Sequence, residues 1–234
     1  MPLNTNNHPL STEQLESLRR LDACTLANAI ETFNVRLHNE GFTDGGLHCL
    51  FPNLPPVVGY AATVKIRGSA PPTAGGAYAQ RTDWWEYVQS LPKPHIIVAQ
   101  DISSHPGLGA LLGEVHFNIQ RALGCVGVVT NGAVRSVPTA KALGFQVFAD
   151  HVTVSHAYTH IVEFGTPVEV DGLKVQSGDL LHGDQHGVQS IPMNIASQIP
   201  AAAARVTAQK QAIIALCQSP EFTLEKLRAL VATK

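Results

Sequence analysis

Apolar residues recur at helical spacing at Leu15, Leu18, Leu21 and Leu26, behind a Ser11-Thr12-Glu13-Gln14 start of the capping-box type. This spacing predicts helix from Ser11 to Phe33, and Thr25 with Asn28 suggests a second capped start inside it. Glycine and proline then dominate from Gly41 to Pro56, which reads as loop. Val57 to Ile66 alternates as a strand does. A loop is expected from Gly68 to Gly76, a short helix from Asp83 to Leu91 holding Trp84 and Trp85, and a compact buried strand from His95 to Ala99. Ser103 to Gly109 reads as loop, and a helix begins at Ala110 or Gly113 and runs to Leu123. Strands follow at Val126–Thr130 and Gln146–Ala149, with a short helix from Val137 to Leu143 between them. Val152 to Val170 favours strands, Leu173 to Pro192 two short strands around turns, and Pro200 to Ala232 helix broken near Ser219-Pro220. This mixed order argues against a simple doubly wound sheet.

Composition narrows the class. The chain has 234 residues, is 44% hydrophobic and 15% charged, and carries a formal charge of −2. That length suits one domain over 1–234, with a core from about 15 to 195 and C-terminal helices at about 200–232. There is no basic field to hold a nucleic acid backbone, and no apolar run approaches the roughly 20 residues that span a bilayer. Low charge with abundant Ala, Val, Gly and Leu favours subunit association. Met1 to Glu13 is polar and unlike a secretory signal, so a cytoplasmic protein is expected. Cys24, Cys125 and Cys217 sit among apolar neighbours and read as reduced core thiols; with Cys49 they form no CxxC pair.

Chemistry concentrates between Gly109 and Arg135. Gly113-Glu114-Val115-His116 opens a helix, and glycine-flanked helix starts gather unpaired N–H groups that suit a carboxylate. Arg135 ends the apolar run Gly-Cys-Val-Gly-Val-Val-Thr-Asn-Gly-Ala-Val and adds a planar, always-charged fork for the same anion. Twenty residues separate Glu114 from Arg135. Together they describe a pocket for a small organic acid. Each also has a plainer reading: Arg135 as a carbonyl cap, Glu114 as a first-turn acid favouring the helix dipole, and Ser136 as the cap of the next helix.

The same residues carry a family resemblance. Gly113-Glu114, the run to Arg135 and the following Ala-Leu-Gly-Phe-Gln-Val-Phe-Ala149 resemble the RraA-like family, over roughly residues 15 to 230. Val57-Val-Gly-Tyr-Ala-Ala-Thr-Val64, Ser177-Gly-Asp179 and Gly183-Asp184…Gly187-Val188…Ile191-Pro192 extend the match. That family includes class II 4-hydroxy-4-methyl-2-oxoglutarate aldolases, which also decarboxylate oxaloacetate, and regulators that bind ribonuclease E. The resemblance implies an α/β fold, a β/β/α swivelling-domain sandwich, in homotrimers or homohexamers with interfacial pockets. It implies a substrate carboxylate on the amides of Val115 and His116, with Arg135 on the keto or enolate oxygen. It also implies a divalent metal, Mg²⁺ or Mn²⁺, with Glu114 positioning metal-bound water.

One position departs from that pattern. An aspartate that ligates the metal is expected after the arginine, and Ser136 stands there as a neutral, weaker ligand for a hard cation. A family glutamate from the C-terminal helix aligns near Gln209 to Gln211, where the chain has Gln-Lys-Gln. If a metal binds, Glu114 and Ser136 are what remain to hold it. The expected function is a carbon–carbon lyase acting on a small 2-oxo or β-keto carboxylate through an enolate. An enolate-type isomerase, cyclase or hydratase, or a non-catalytic protein-binding regulator, is the alternative.

Seven of the eleven histidines lie between His105 and His186. His116 falls inside the pocket motif and suits acid–base work near neutral pH. His156 and His160 share a face in a helix or a strand, but no third ligand or HExxH glutamate accompanies them, and partly buried histidines bonded to backbone are the plainer reading. His182 and His186 are unassigned. Asp179 and Asp184 read as turn formers in Gly-Asp turns. Gly75-Gly76 lies in no strand–loop–helix phosphate motif, and no methyl-donor glycine motif occurs.

Overall fold

The computed structural model describes residues 9–72 and 81–232. Val57–Arg67 (β2) is the organising strand, and all but two of its eleven residues are buried. Such a run, apolar on both faces, belongs in the middle of a covered sheet. His95–Asp101 (β3) pairs parallel to β2, Cys125–Val134 (β5) parallel to β3, and Gln146–Val152 (β6) parallel to β5. Their carboxyl ends therefore share one edge.

Short strands complete a nine-stranded mixed sheet. His48–Cys49 (β1) pairs antiparallel with β6, and Ala110–Leu112 (β4) lies parallel to the end of β5. Leu180–Asp184 (β10) takes the first half of β2, and His160–Phe164 (β7) takes the second. Gly187–Ile191 (β11) forms a hairpin with β10, and Val168–Val170 (β8) pairs with Leu173–Val175 (β9) as a separate ribbon. The fold is a mixed α/β single domain.

Three apolar clusters hold these parts together. Thr82–Ser90 (α3), Glu114–Leu123 (α4) and Val137–Ala142 (α5) cover one face of the sheet, with Trp84, Phe117 and Phe145 fully buried beneath them. The β8–β9 ribbon covers Ile96, Val98 and Val129 on the other face. Thr12–Arg19 (α1), Ala23–Glu31 (α2) and the start of Ile199–Gln218 (α6) pack around β10 and β11. Leu224–Val231 (α7) buries no residue.

Several expected elements shift. The N-terminal helix is two helices, and Asp22 rather than Thr25 caps the second, its carboxylate accepting from the Thr25 amide at 2.8 Å. Residues 110–112 form strand, so the helix begins at Glu114. The stretch from Val152 to Val170 holds β7 and β8, as expected, but 153–159 is loop. Gly41–Pro56 contains β1. Cys24 and Cys217 are exposed, because each falls on the outer side of its helix; Cys125 alone of the three is a core thiol, pushed up to about 12 by burial. Met1–His8 and the Gly75-Gly76 pair lie outside the described residues. No described helix is long and apolar enough to cross a membrane.

Candidate functional site

The carboxyl edge of the parallel strands brings the sequence-selected residues together. β4 ends at Leu112 opposite Val134 of β5, so Gly113 and Arg135 leave the sheet side by side. The Arg135 amide donates to the Leu112 carbonyl at 3.0 Å, which fixes this junction. Gly113 is the N-cap of α4, and no side chain caps the helix. The Arg135 stem lies over the missing side chain: a Cβ on Gly113 would sit 2.9 Å from Nε and 3.3 Å from Cγ. A guanidinium is thereby held against the open, positive end of a ten-residue helix, where the first-turn amides have no intrahelical acceptor.

Arg135 is steadied from the far side. Its Nη1 donates to the Val154 carbonyl at 3.2 Å. The loop carrying Val154 is itself tied down, since the Ala110 amide donates to Ser155 O and the Tyr158 amide to Gly68 O. Glu114 and Val115 are exposed at the helix start. His116 is half-buried, and burial first, then the charges of Arg135 and His156, hold its pKa below the ordinary histidine value. At neutral pH its ring is uncharged and able to accept a proton.

Asp101, at the end of β3, has no counterpart in the sequence reading. It is 3% exposed; Oδ1 accepts from the Ser103 amide and Oδ2 from the Gly107 amide, both at 2.9 Å. Asn131 clamps the Asp101 backbone from β5, accepting from its N–H at 2.7 Å and donating to its carbonyl at 3.1 Å. The carboxylate thus folds loop 102–109 over the strand edge. An aspartate closing an apolar strand before Ser-Ser and Gly-Leu-Gly was the available signal.

Other expectations separate here. Ser136 occupies the N-cap position of α5 but makes no side-chain cap bond, and its backbone is left-handed at φ 55°. That backbone departs from the extended conformation in which a capping serine normally reaches the helix amides. His156 and His160 lie in and just after the 153–159 loop, not on one regular face, and their Nδ1 atoms donate to the Ala157 and Tyr158 carbonyls. His182 and His186 are remote, near the start of β2: His182 Nε2 donates to Leu21 O, and His186 Nδ1 to Asp184. Asp179 accepts from the Gln176 amide in its turn. Asp184 does more than form a turn, because it also accepts from the Ala23 amide at 2.8 Å. Gln209 to Gln211 lie on the outer half of α6.

The donor set fits a divalent cation poorly. Among the described residues no group of three or more His, Cys, Asp or Glu side chains is placed to hold a metal ion. Of the two residues left to hold it, Glu114 brings one carboxylate and Ser136 one neutral hydroxyl, where a hard cation favours several anionic oxygens; the nearby Asp101 carboxylate is taken up by the Ser103 and Gly107 amides.

A family model matches residues 23–189, the RraA-like family described as Aldolase/RraA. The chain belongs to that family. An 84-residue stretch is 33% identical to a Halalkalibacterium halodurans protein named "Putative 4-hydroxy-4-methyl-2-oxoglutarate aldolase", covering 36% of this chain and 40% of that relative. The chain thus matches less than half the length of this relative. Among solved structures, an uncharacterized protein from Pseudomonas syringae pv. tomato superposes with a TM-score of 0.74 at 22% identity, covering 98% of this chain and 99% of that one. Streptomyces coelicolor RraAS2, described as an unusual member of the RNase ES inhibitor RraA protein family, gives 0.66 at 20% identity over 87% and 96%. At these identities the structural likeness establishes the fold. The RraA-like match covers the α4 start, β5 and Arg135, the elements that build the candidate site.

Proposed function

We propose that this RraA-like chain is a carbon–carbon lyase acting on a small 2-oxo or β-keto carboxylate through an enolate. The observation that carries the proposal is Arg135 lying over Gly113 at the uncapped start of α4. A substrate carboxylate is received by the amides of Val115 and His116, and Arg135 donates to the neighbouring keto oxygen. Retro-aldol cleavage and β-keto decarboxylation both send the electron pair of the broken bond into that keto group. Arg135 therefore meets a growing negative charge that its guanidinium stabilises more strongly than the neutral ketone. Neutral His116, with Glu114 through water, accepts and returns the proton that a retro-aldol cleavage releases from the hydroxyl.

The active assembly in this proposal is a homotrimer or homohexamer. Leu108, Val115, Val152, Val154 and Tyr158 are exposed along the same rim, Val154 at 91%, and a second subunit covering them would also dry the site.

Oxaloacetate and 4-hydroxy-4-methyl-2-oxoglutarate are the test substrates, assayed against enzyme-free blanks with added Mg²⁺ or Mn²⁺ and then with EDTA. Turnover is expected, and Arg135→Ala should lower kcat/KM at least 100-fold while leaving the melting curve intact. Activity indifferent to EDTA would place the enolate charge on Arg135 and the helix amides alone. Unchanged activity in Arg135→Ala would overturn the site. No turnover of either acid would overturn the lyase and favour the protein-binding reading, to which the poor donor set also points.

A further inference from the structure

The opposite edge of the sheet carries a concavity. It measures about 520 Å³, within the range of small-molecule sites of about 300–1,000 Å³. Its floor is the start of the parallel strands, among them β5, whose other end leads into Arg135: Val57 opens β2, Pro94 precedes β3, Val126 is second in β5 and Gln146 opens β6. Leu15 of α1 and Leu54 complete apolar walls. Pro55, Pro56 and Pro94 have no N–H, so these walls offer few backbone donors. Gln146 is already committed, donating to Phe51 O and accepting from the Val147 amide. Recognition of a polar group therefore falls to charged side chains at the mouth.

Those side chains are unequal. Arg19 is neutralised by Glu16, with Nε at 3.0 Å and Nη2 at 2.8 Å from its carboxylate oxygens. Lys93 and Arg121 also line the cavity, and no carboxylate among the described residues pairs with either. The position of Lys93 is defined by Gly124, where an added Cβ would come within 3.0 Å of Lys93 Cδ and 3.1 Å of Cε. The absence of that atom lets the lysine stem lie across the start of β5, with its ammonium at the mouth.

We propose that this cavity binds a small amphipathic anion, an alkyl or aryl carboxylate or sulfonate, with its apolar body against Leu15, Leu54, Val58 and Val126 and its head between Lys93 and Arg121. The site is separate from the Arg135 rim and stands whether or not the lyase reading does.

The probe is 8-anilinonaphthalene-1-sulfonate, titrated by fluorescence into the full chain and displaced with sodium octanoate. Saturable binding is expected, with octanoate competing and octanol and octylamine at least tenfold weaker. The double variant Lys93→Gln/Arg121→Gln alters only exposed side chains and should weaken octanoate at least tenfold. Leu54→Trp, which fills the cavity, should abolish displaceable binding, and Arg135→Ala should leave it unchanged. The proposal is overturned by no saturable binding, by equal competition from octanol, or by a folded double variant that binds like the parent. Loss of binding in Arg135→Ala would also overturn it, by placing the probe at the other edge.

Discussion

At the scale of single residues, Gly113 is tightly constrained without being strained. Its φ of −133° is open to any residue, so the demand for glycine comes from Arg135 Nε, 2.9 Å from where a Cβ would be. Gly113→Ala should push the guanidinium aside and lower kcat/KM on the order of 10²-fold, with little change in melting temperature. A variant as active as the parent would show that the close approach has no catalytic consequence. Ser136 presents the opposite case, a non-glycine residue at φ 55°. Aspartate tolerates that conformation better than serine and brings a carboxylate. Ser136→Asp should therefore fold at least as well and make oxaloacetate decarboxylation Mg²⁺-stimulated; steady-state rates with and without Mg²⁺ decide it. Arg135 and Glu114 were legible in the sequence because a long apolar run ends at one and a glycine-led helix starts at the other. Asp101, Val154 and Lys93 were not, since each acquires its role from partners that only the folded chain brings near.

At the scale of elements, α2 shows how distant segments share one helix end. Asp22 caps it from within, and Asp184 reaches across from the β10–β11 hairpin to the Ala23 amide. Asp184 also accepts from the His186 amide at 2.8 Å and from His186 Nδ1 at 3.0 Å, so its removal strands three donors. Asp184→Ala should cost about 1–3 kcal/mol, measured as a lowered urea midpoint at unchanged slope. A capped start was legible in this stretch, though on Thr25 with Asn28 rather than on Asp22, and the second tie spans 161 positions and leaves no trace in the sequence. The same limit explains β4 and the 153–159 loop. Three residues cannot show a period, and Ala110–Leu112 becomes strand only by pairing with the end of β5. The long strands and helices were legible because their periodicity repeats several times.

At the scale of the whole molecule, stability should depend on pH through buried histidines. His182 is fully buried with Nε2 bonded to Leu21 O, and burial holds its pKa below the ordinary 6.5. His95 and His116 are lowered for the same leading reason. Below about pH 6.5 the unfolded chain takes up protons that the native state refuses, so stability is complete above that value and falls as pH drops through the folded-state values. Melting temperature should be flat from pH 8 to 7 and decline from 6.5 to 5, and His182→Gln should shallow that decline. A parent curve with no decline would refute the assignment. Assembly is the second property of this scale. The outer half of α6 and all of α7 bury no residue, leaving Ile214, Leu224 and Val231 exposed, with Phe222 of the connector between them. Light scattering should return three or six times the chain mass, and a chain ending at Gln218 should return less. A full-length monomer would contradict the proposed assembly.

The uncapped start of α4 has a consequence for selectivity. A helix end flanked by an arginine recognises charge and little else, so sulfate, nitrate and bicarbonate are as acceptable to it as the head of a keto acid. Such ions should raise KM and leave kcat alone. Discrimination among organic acids must therefore come from what surrounds the tail of the substrate. On this chain the surface available for that is the exposed apolar rim of Val115, Val152 and Val154, which the proposed assembly would cover.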